Sequence, residues 1–209
     1  MARKIYPDRL FLNPTTDSFP TLASIDPAIL LFHQTLPQYS QTSLISLAGV
    51  AKELGLGSVF VKDETYRFGL PSFKILGASW ATFRLVTEAL GLPIETSIEK
   101  LTQATRSASV KIFAATEGNH GRAVARMAAV IGAQAFIFVP KHVDHHIRGL
   151  ITGEGANIEI IDGDYDQAVR TAAGRSKEEN GLLIQDTAWD GYERIPQVRC
   201  LFAIFPFAN

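Results

Sequence analysis

The chain has a single cysteine, Cys200, among its 209 residues. One thiol makes neither an internal disulfide nor a thiolate metal cluster, which excludes a disulfide scaffold and a redox pair. There is no surplus of charge of either sign: 20 Lys and Arg stand against 21 Asp and Glu, for a net charge of −1. No global field draws the chain to nucleic acid or to an anionic membrane, and neither is expected as a partner. Long hydrophobic runs are also missing. The longest nearly apolar stretch, Ala128 to Pro140, is broken by Gly132 and Gln134 and is too short to span a bilayer, while Met1 to Leu12 lacks the apolar stretch of a signal peptide. No repeat or low-complexity tract appears, and no G-x-G-x-x-G follows an early strand, which argues against a Rossmann-type nucleotide binder. The expectation is a soluble, cytoplasmic protein. Its 46% hydrophobic and 20% charged content is that of an ordinary globular chain long enough to bury a core.

Prolines at 7, 14, 20, 27 and 37 and little periodicity suggest an ordered, extended arm at the start. From Thr42 onward Leu44, Leu47, Ala48, Ala51 and Leu54 recur at helical spacing, and Val59 to Val61 reads as a short buried strand. Ser72 is placed to cap a helix running to about Leu90, and Thr96 with Glu99 has capping-box spacing. The chain then becomes regular. Strands are expected at Val110 to Ala114, Ala135 to Val139, Ile158 to Ile161 and Leu182 to Ile184, separated by helices near Asn119 to Ile131, His145 to Thr152 and Tyr165 to Glu179. Asp164 and Gln167 form a second capping pair. Short apolar strands alternating with crossover helices define an α/β fold, an open and mostly parallel twisted sheet with helices on both faces. Ligands of such sheets bind beyond the carboxyl ends of the strands, which directs attention to the loops after Ala114 and Ile184.

Three segments carry side chains suited to chemistry. In the first, Val61 to Glu64 leads through Phe68-Gly69-Leu70-Pro71-Ser72-Phe73 to Lys74 in the first turn of an apolar helix. The positive helix end and partial desolvation there favour a neutral amine, which is a nucleophile toward carbonyls; the plain alternative is a surface lysine. In the second, Thr116-Glu117-Gly118-Asn119-His120-Gly121 joins a buried strand to a helix. Its glycines permit close backbone approach, its helix start offers N–H donors to an anion, and Glu117 offers a base, though simple turn geometry explains such a segment equally well. The third, Gln185 to Glu193, sets Asp186 beside Trp189 and Tyr192 and reads either as a carboxylate of shifted proton affinity or as a capped turn with packed aromatics. His142 and His146, four apart, lack a third metal ligand and read as solvated or anion-facing.

Together, Lys74 and the Glu117-Gly118-Asn119-His120-Gly121 turn resemble the fold-type II pyridoxal-phosphate enzymes, which include threonine dehydratase, cysteine synthase and the tryptophan synthase β chain. Tyr66 to Leu70, the Lys74 segment and Asp186 to Tyr192 look most like the diaminopropionate ammonia-lyases, over roughly Pro37 to Gln197. The resemblance implies pyridoxal 5'-phosphate as cofactor, held covalently by Lys74 with Ser72, Gly118 and Asn119 around it. A small amino acid, 2,3-diaminopropionate, would be the substrate, with pyruvate and ammonia as products. Lys74, Glu117 and Asp186 would be the catalytic groups: Lys74 the base for an L-substrate, Glu117 at the position of the base for the D-isomer, and Asp186 assisting at the substrate amines. Glu117 departs from the family's Asp by one methylene, enough to matter for transfer of a proton from the D-isomer. Threonine or serine dehydration is the alternative within this chemistry, and a non-catalytic binding or regulatory fragment the alternative outside it.

The same resemblance divides the chain into residues 1–91, the arm and part of the large cofactor domain with its lysine, and 92–197, a small Rossmann-like lobe. Residues 198–209 form an apolar tail that does not match the family. Full-length members are expected to be homodimers. The family's glycine-rich phosphate loop and its partner for the pyridine nitrogen are not visible in these 209 residues, so the expectation is a shortened chain with weakened cofactor binding and impaired activity.

Overall fold

The computed structural model describes residues 27–196. The part of the expected arm before residue 27, the apolar tail 198–209 and Cys200 lie outside the described residues. The described chain enters through helix α1 (Pro27–Thr35). Strands β1 (Leu44–Ser46) and β2 (Phe60–Lys62) then pair antiparallel around helix α2 (Ala48–Leu54). The helical spacing read from Leu44 therefore takes effect only at Ala48. Leu44 lies opposite Lys62 in the ladder, and the Ser43 carbonyl and Leu47 amide bond across to Asp63 and Val59, so strand pairing claims the backbone before the helix begins.

Helix α3 (Lys74–Ala89) follows, buried along most of its length, and then α4 (Ile98–Ser107). The cap of α4 is Ser97, whose hydroxyl accepts from the Lys100 amide at 3.3 Å, one residue later than the expected Thr96. Thr96 is committed elsewhere. Its amide donates to the Pro93 carbonyl in a turn, and its hydroxyl is turned inward.

From here strands and helices alternate as expected. Strand β3 (Lys111–Ala115) leads through α5 (Asn119–Ile131) to β4 (Gln134–Pro140), then through α6 (His145–Gly153) to β5 (Asn157–Ile161), and through α7 (Tyr165–Glu178) to β6 (Leu182–Leu183). All four strands are parallel, in the order β5-β4-β3-β6. Two connections step outward from β3 and the third returns across the sheet to the other side of β3. Right-handed crossovers then require α7 to lie on the face opposite α5.

The side chains of β3 serve both faces. Ile112 and Ala114 join the main core with Ile137, Val124 and Met127, whereas Phe113 and Ala115 pack with Phe138 against Ala168 and Ala172 of α7. A central parallel strand covered on both sides reads as an unbroken apolar run, which is why Ile112 to Ala115 was legible as a strand. The main core continues through α5 into α3 and α1, where Phe32 and Phe83 stand 4.6 Å apart between ring centroids. Among the described residues no helix is long and apolar enough to cross a membrane.

Candidate active site

The strand order reverses between β3 and β6, and the segments following these two strands part at their carboxyl edge, the usual place for a ligand in an open α/β sheet. Lys74, Thr116, Glu117, Gly118, Asn119, His120, Ile147, Tyr165 and Asp186 line a cleft of about 390 Å³ there.

The floor of the cleft is the turn after β3. The hydroxyl of Thr116 accepts hydrogen bonds from the amides of Gly118 at 2.9 Å and Gly121 at 3.0 Å, drawing the turn back against the strand. Gly121 leaves no space for a side chain: a Cβ there would meet Thr116 Cγ2 at 2.3 Å and Ile137 Cγ2 at 2.8 Å. Helix α5 starts at the cleft with Gly118 at its N-cap, and in place of a cap side chain the Thr116 hydroxyl takes the Gly121 amide of the first turn. His120 is buried, and its Nε2 donates to the Ile184 carbonyl at 2.8 Å, tying the helix start to the residue after β6.

Lys74 reaches the cleft from the start of α3. The loop before it is fixed by the buried Arg67, which donates to Glu64 at 2.5 and 2.9 Å, to the Ser40 carbonyl at 3.0 Å and to the Thr42 hydroxyl at 2.7 Å. Burial alone would raise the proton affinity of Glu64. The hydrogen bonds from Arg67 and Thr42, with the charges of Arg67 and Lys62, outweigh it and hold the carboxyl below its ordinary range. Phe68 is held in the left-handed region at φ 51°, rare for an aromatic residue, with its carbonyl accepting from Arg126 Nη1 at 3.0 Å. Ser72 then serves the helix start as expected, its hydroxyl accepting from the Lys74 amide at 3.2 Å. It is not among the residues that line the cleft.

Across the cleft, Lys74 Nζ lies 2.6 Å from Asp186 Oδ2, in a pair that is 33% and 12% exposed. A carboxylate at this distance favours the charged form of an amine, opposite to the effect of a helix start and of desolvation. The other oxygen of Asp186 accepts from the Tyr165 hydroxyl at 3.2 Å, and that hydroxyl accepts from Gln185 Nε2 at 2.7 Å. Gln185 is fully buried and grips Ala115 with both ends of its amide: Oε1 accepts from the Ala115 N–H at 2.9 Å, and Nε2 donates to its carbonyl at 3.2 Å. The Tyr192 hydroxyl accepts from the main-chain N–H of Gln185 and donates to the Leu183 carbonyl; burial pushes its phenol well up, against the opposing pull of the Gln185 bond. Trp189 stacks on the Tyr192 ring at 4.3 Å.

Glu117 occupies the rim, with Oε1 2.9 Å from His142 Nε2 and both side chains more than half exposed. His146 sits in the first turn of α6, where Asp144 accepts from its amide at 2.6 Å. Among the described residues no three His, Cys, Asp or Glu side chains gather as a metal site. The structure thus brings Lys74, Glu117, Gly118, Asn119 and Asp186 to one cleft, while Ser72 bonds the Lys74 amide without lining that cleft. Sequence reasoning missed Tyr165, and gave Gln185, the first residue of the third segment, no role of its own. A signal for Tyr165 was present: in a parallel βαβ unit each helix starts at the carboxyl edge of the sheet, which is where the residue after the Asp164 cap must lie.

A lysine at a helix start thus faces a carboxylate and a Gly-Asn turn at the reversal of a parallel sheet, the arrangement that the resemblance to fold-type II pyridoxal-phosphate enzymes implies. Residues 35–197 match the family of pyridoxal-phosphate dependent enzymes, and the chain belongs to that family. It is similar to the diaminopropionate ammonia-lyase of Salmonella typhimurium, 40% identical over 172 residues that make up 80% of this chain and 43% of the relative. Its structure is similar to that of Escherichia coli diaminopropionate ammonia-lyase in apo form, with a TM-score of 0.77 and 34% identity, covering 84% of this chain and 48% of that one. The same Escherichia coli enzyme in complex with an aminoacrylate-PLP azomethine reaction intermediate gives a TM-score of 0.75 at 34% identity, over 84% of this chain and 44% of that one. The chain spans less than half the length of each of these relatives.

Proposed function

We propose that the cleft is the reactive centre of a pyridoxal-phosphate-dependent lyase that takes 2,3-diaminopropionate and water to pyruvate and two molecules of ammonia, by α,β-elimination followed by hydrolysis. The observation that carries this reading is the 2.6 Å contact of Lys74 Nζ with Asp186, in the same cleft as the Gly118–Asn119 turn. The donor set fits the aldehyde end of the cofactor. Lys74 supplies a primary amine for a carbon–nitrogen bond, and the Asn119 side-chain amide, at the start of α5 in the same cleft, suits an anionic ring oxygen. Bound there, the cofactor supplies an electron-withdrawing ring that makes the substrate Cα–H acidic.

The chain's own residues do the rest. Lys74 takes the proton from Cα of an L-substrate, and Asp186, already placed beside that amine, holds the substrate's amines so that the β-ammonium leaves Cβ as ammonia with its bonding pair. Asn119 binds the ring's phenolic oxygen, Gly118 lets the backbone approach, and Ser72 keeps the first turn of α3 in place. Glu117 is the base for the D-isomer, acting from the rim with His142 as its partner. Incubation with pyridoxal phosphate, borohydride reduction and peptide mapping test this reading. A reduced adduct is expected on Lys74 and lost in Lys74→Ala, with ammonia released from diaminopropionate faster than from threonine or serine. An adduct on other lysines only, or none, overturns the assignment of the cleft. Faster turnover of threonine or serine overturns the substrate.

A further inference from the structure

We propose that Gln185 is a positioning residue for the Lys74–Asp186 pair, acting through the hydroxyl of Tyr165. The inference rests on the reading of that pair as the reactive one, and it concerns a group outside the cleft wall. Its basis is the direction of each hydrogen bond. The Ala115 N–H can only donate, so the Gln185 atom facing it must be the amide oxygen, which fixes the amide's orientation. The Nε2 group, turned to the opposite side, has two protons and two acceptors, the Ala115 carbonyl and the Tyr165 oxygen. Tyr165, having accepted, keeps one proton to give, and the acceptor in reach is Asp186 Oδ1. The remaining carboxylate oxygen, Oδ2, is the one facing Lys74.

The polarity of the chain from β3 to the lysine is therefore set by one main-chain amide. With Gln185 in place the Tyr165 hydroxyl does not rotate away, and the carboxylate presents a single oxygen to the amine. A hydrogen bond to the charged form of a carboxyl lowers its proton affinity, so Tyr165 keeps Asp186 ionised at lower pH than Lys74 alone would. The other titratable groups facing the cleft are Glu117 and His120, both from the turn into α5.

Carbon-13 NMR of the aspartate-labelled 209-residue chain tests this without cofactor, with Asp186→Asn assigning the resonance. Tyr165→Phe keeps the ring and removes the donor; the Asp186 midpoint is expected to rise by about half to one pH unit. Gln185→Met frees the hydroxyl to turn and is expected to raise the midpoint by a smaller amount. The double variant should match Tyr165→Phe alone, because the two groups act in series. If Gln185→Met does not fold, Gln185→Leu takes its place: it is uncharged, cannot bond the Tyr165 hydroxyl, and is expected to give the same smaller rise. An unmoved midpoint in Tyr165→Phe or in the Gln185 variant overturns the proposal, as does a double variant whose shift is the sum of the singles. Loss of the Lys74 adduct is a separate result that overturns only the underlying reading of the pair.

Discussion

Gly121→Ala isolates the packing that holds the floor of the cleft. The added methyl would stand 2.3 Å from Thr116 Cγ2 and 2.8 Å from Ile137 Cγ2, so Thr116 must move, and its hydroxyl is the acceptor for the amides of Gly118 and Gly121. Overpacking of a filled core costs about 1–3 kcal/mol, and each buried hydrogen bond lost about 1 kcal/mol. Alanine's better helix propensity returns up to about 1 kcal/mol, leaving a net loss of roughly 2–4 kcal/mol, a large part of the stability of a small domain. Urea unfolding followed by fluorescence of Trp80 and Trp189 measures the change. The control is Gly149→Ala in α6, where a Cβ meets nothing within 4 Å and only the propensity gain remains. Gly149→Ala should be neutral or stabilising by up to about 1 kcal/mol. A loss below about 0.5 kcal/mol for Gly121→Ala, or equal losses for the two variants, refutes the close-approach argument.

Two further predictions concern charge. His33 is buried, with Nδ1 2.8 Å from the Ile29 carbonyl and Nε2 near Leu76 and Ser79; burial lowers its pKa from 6.5 to about 4, against the upward pull of the backbone contacts. The unfolded chain takes up this proton below about pH 6.5 while the folded one refuses it down to about pH 4. The stability contribution is therefore complete above pH 6.5 and is lost as pH falls toward 4, by roughly 3 kcal/mol in total. His33→Gln should flatten urea midpoints between pH 6.5 and 5, and an unchanged slope there counts against a neutral buried His33. Glu154 accepts from Arg122 Nε and Arg126 Nη2, each at 2.9 Å, and from Arg126 Nε; burial raises its proton affinity, but these bonds and charges outweigh it and lower its pKa. Its contribution is present above the ordinary value of 4.5 and lost as pH falls through the lowered folded one. Glu154→Gln should cost about 1–3 kcal/mol at pH 7 and remove that acid-side loss; a change within about 0.5 kcal/mol would mean that the bridge from α5 to the end of α6 is idle.

What was legible in the sequence followed from periodicity, and what was not followed from pairing. Helix α5 begins and ends where its spacing and Gly132 placed it, and the four parallel strands fall within about a residue of their apolar runs. Leu44 misled because a three-residue strand leaves no periodic trace, and Thr96 because two adjacent hydroxyl residues compete for one cap. The site segments were recognisable one by one, but the Lys74–Asp186 contact joins residues 112 apart and depends on the return of β6 to the side of β3. Gln185 shows how that return opens the cleft. The pairing of β6 with β3 stops at Leu183 opposite Phe113, apart from the Ile184 amide bonding to the Phe113 carbonyl. The next rung would require the N–H and carbonyl of Ala115, two residues along β3. The Gln185 side-chain amide takes both, standing in for the peptide group that a continuing strand would have offered. The backbone of the second segment is then released from the ladder one step early while the N–H and carbonyl of Ala115 stay paired. That release lets the next residue, Asp186, turn out of the sheet toward Lys74, so a buried glutamine that reads in the sequence as an ordinary polar residue after a strand is what parts the two edges of the cleft.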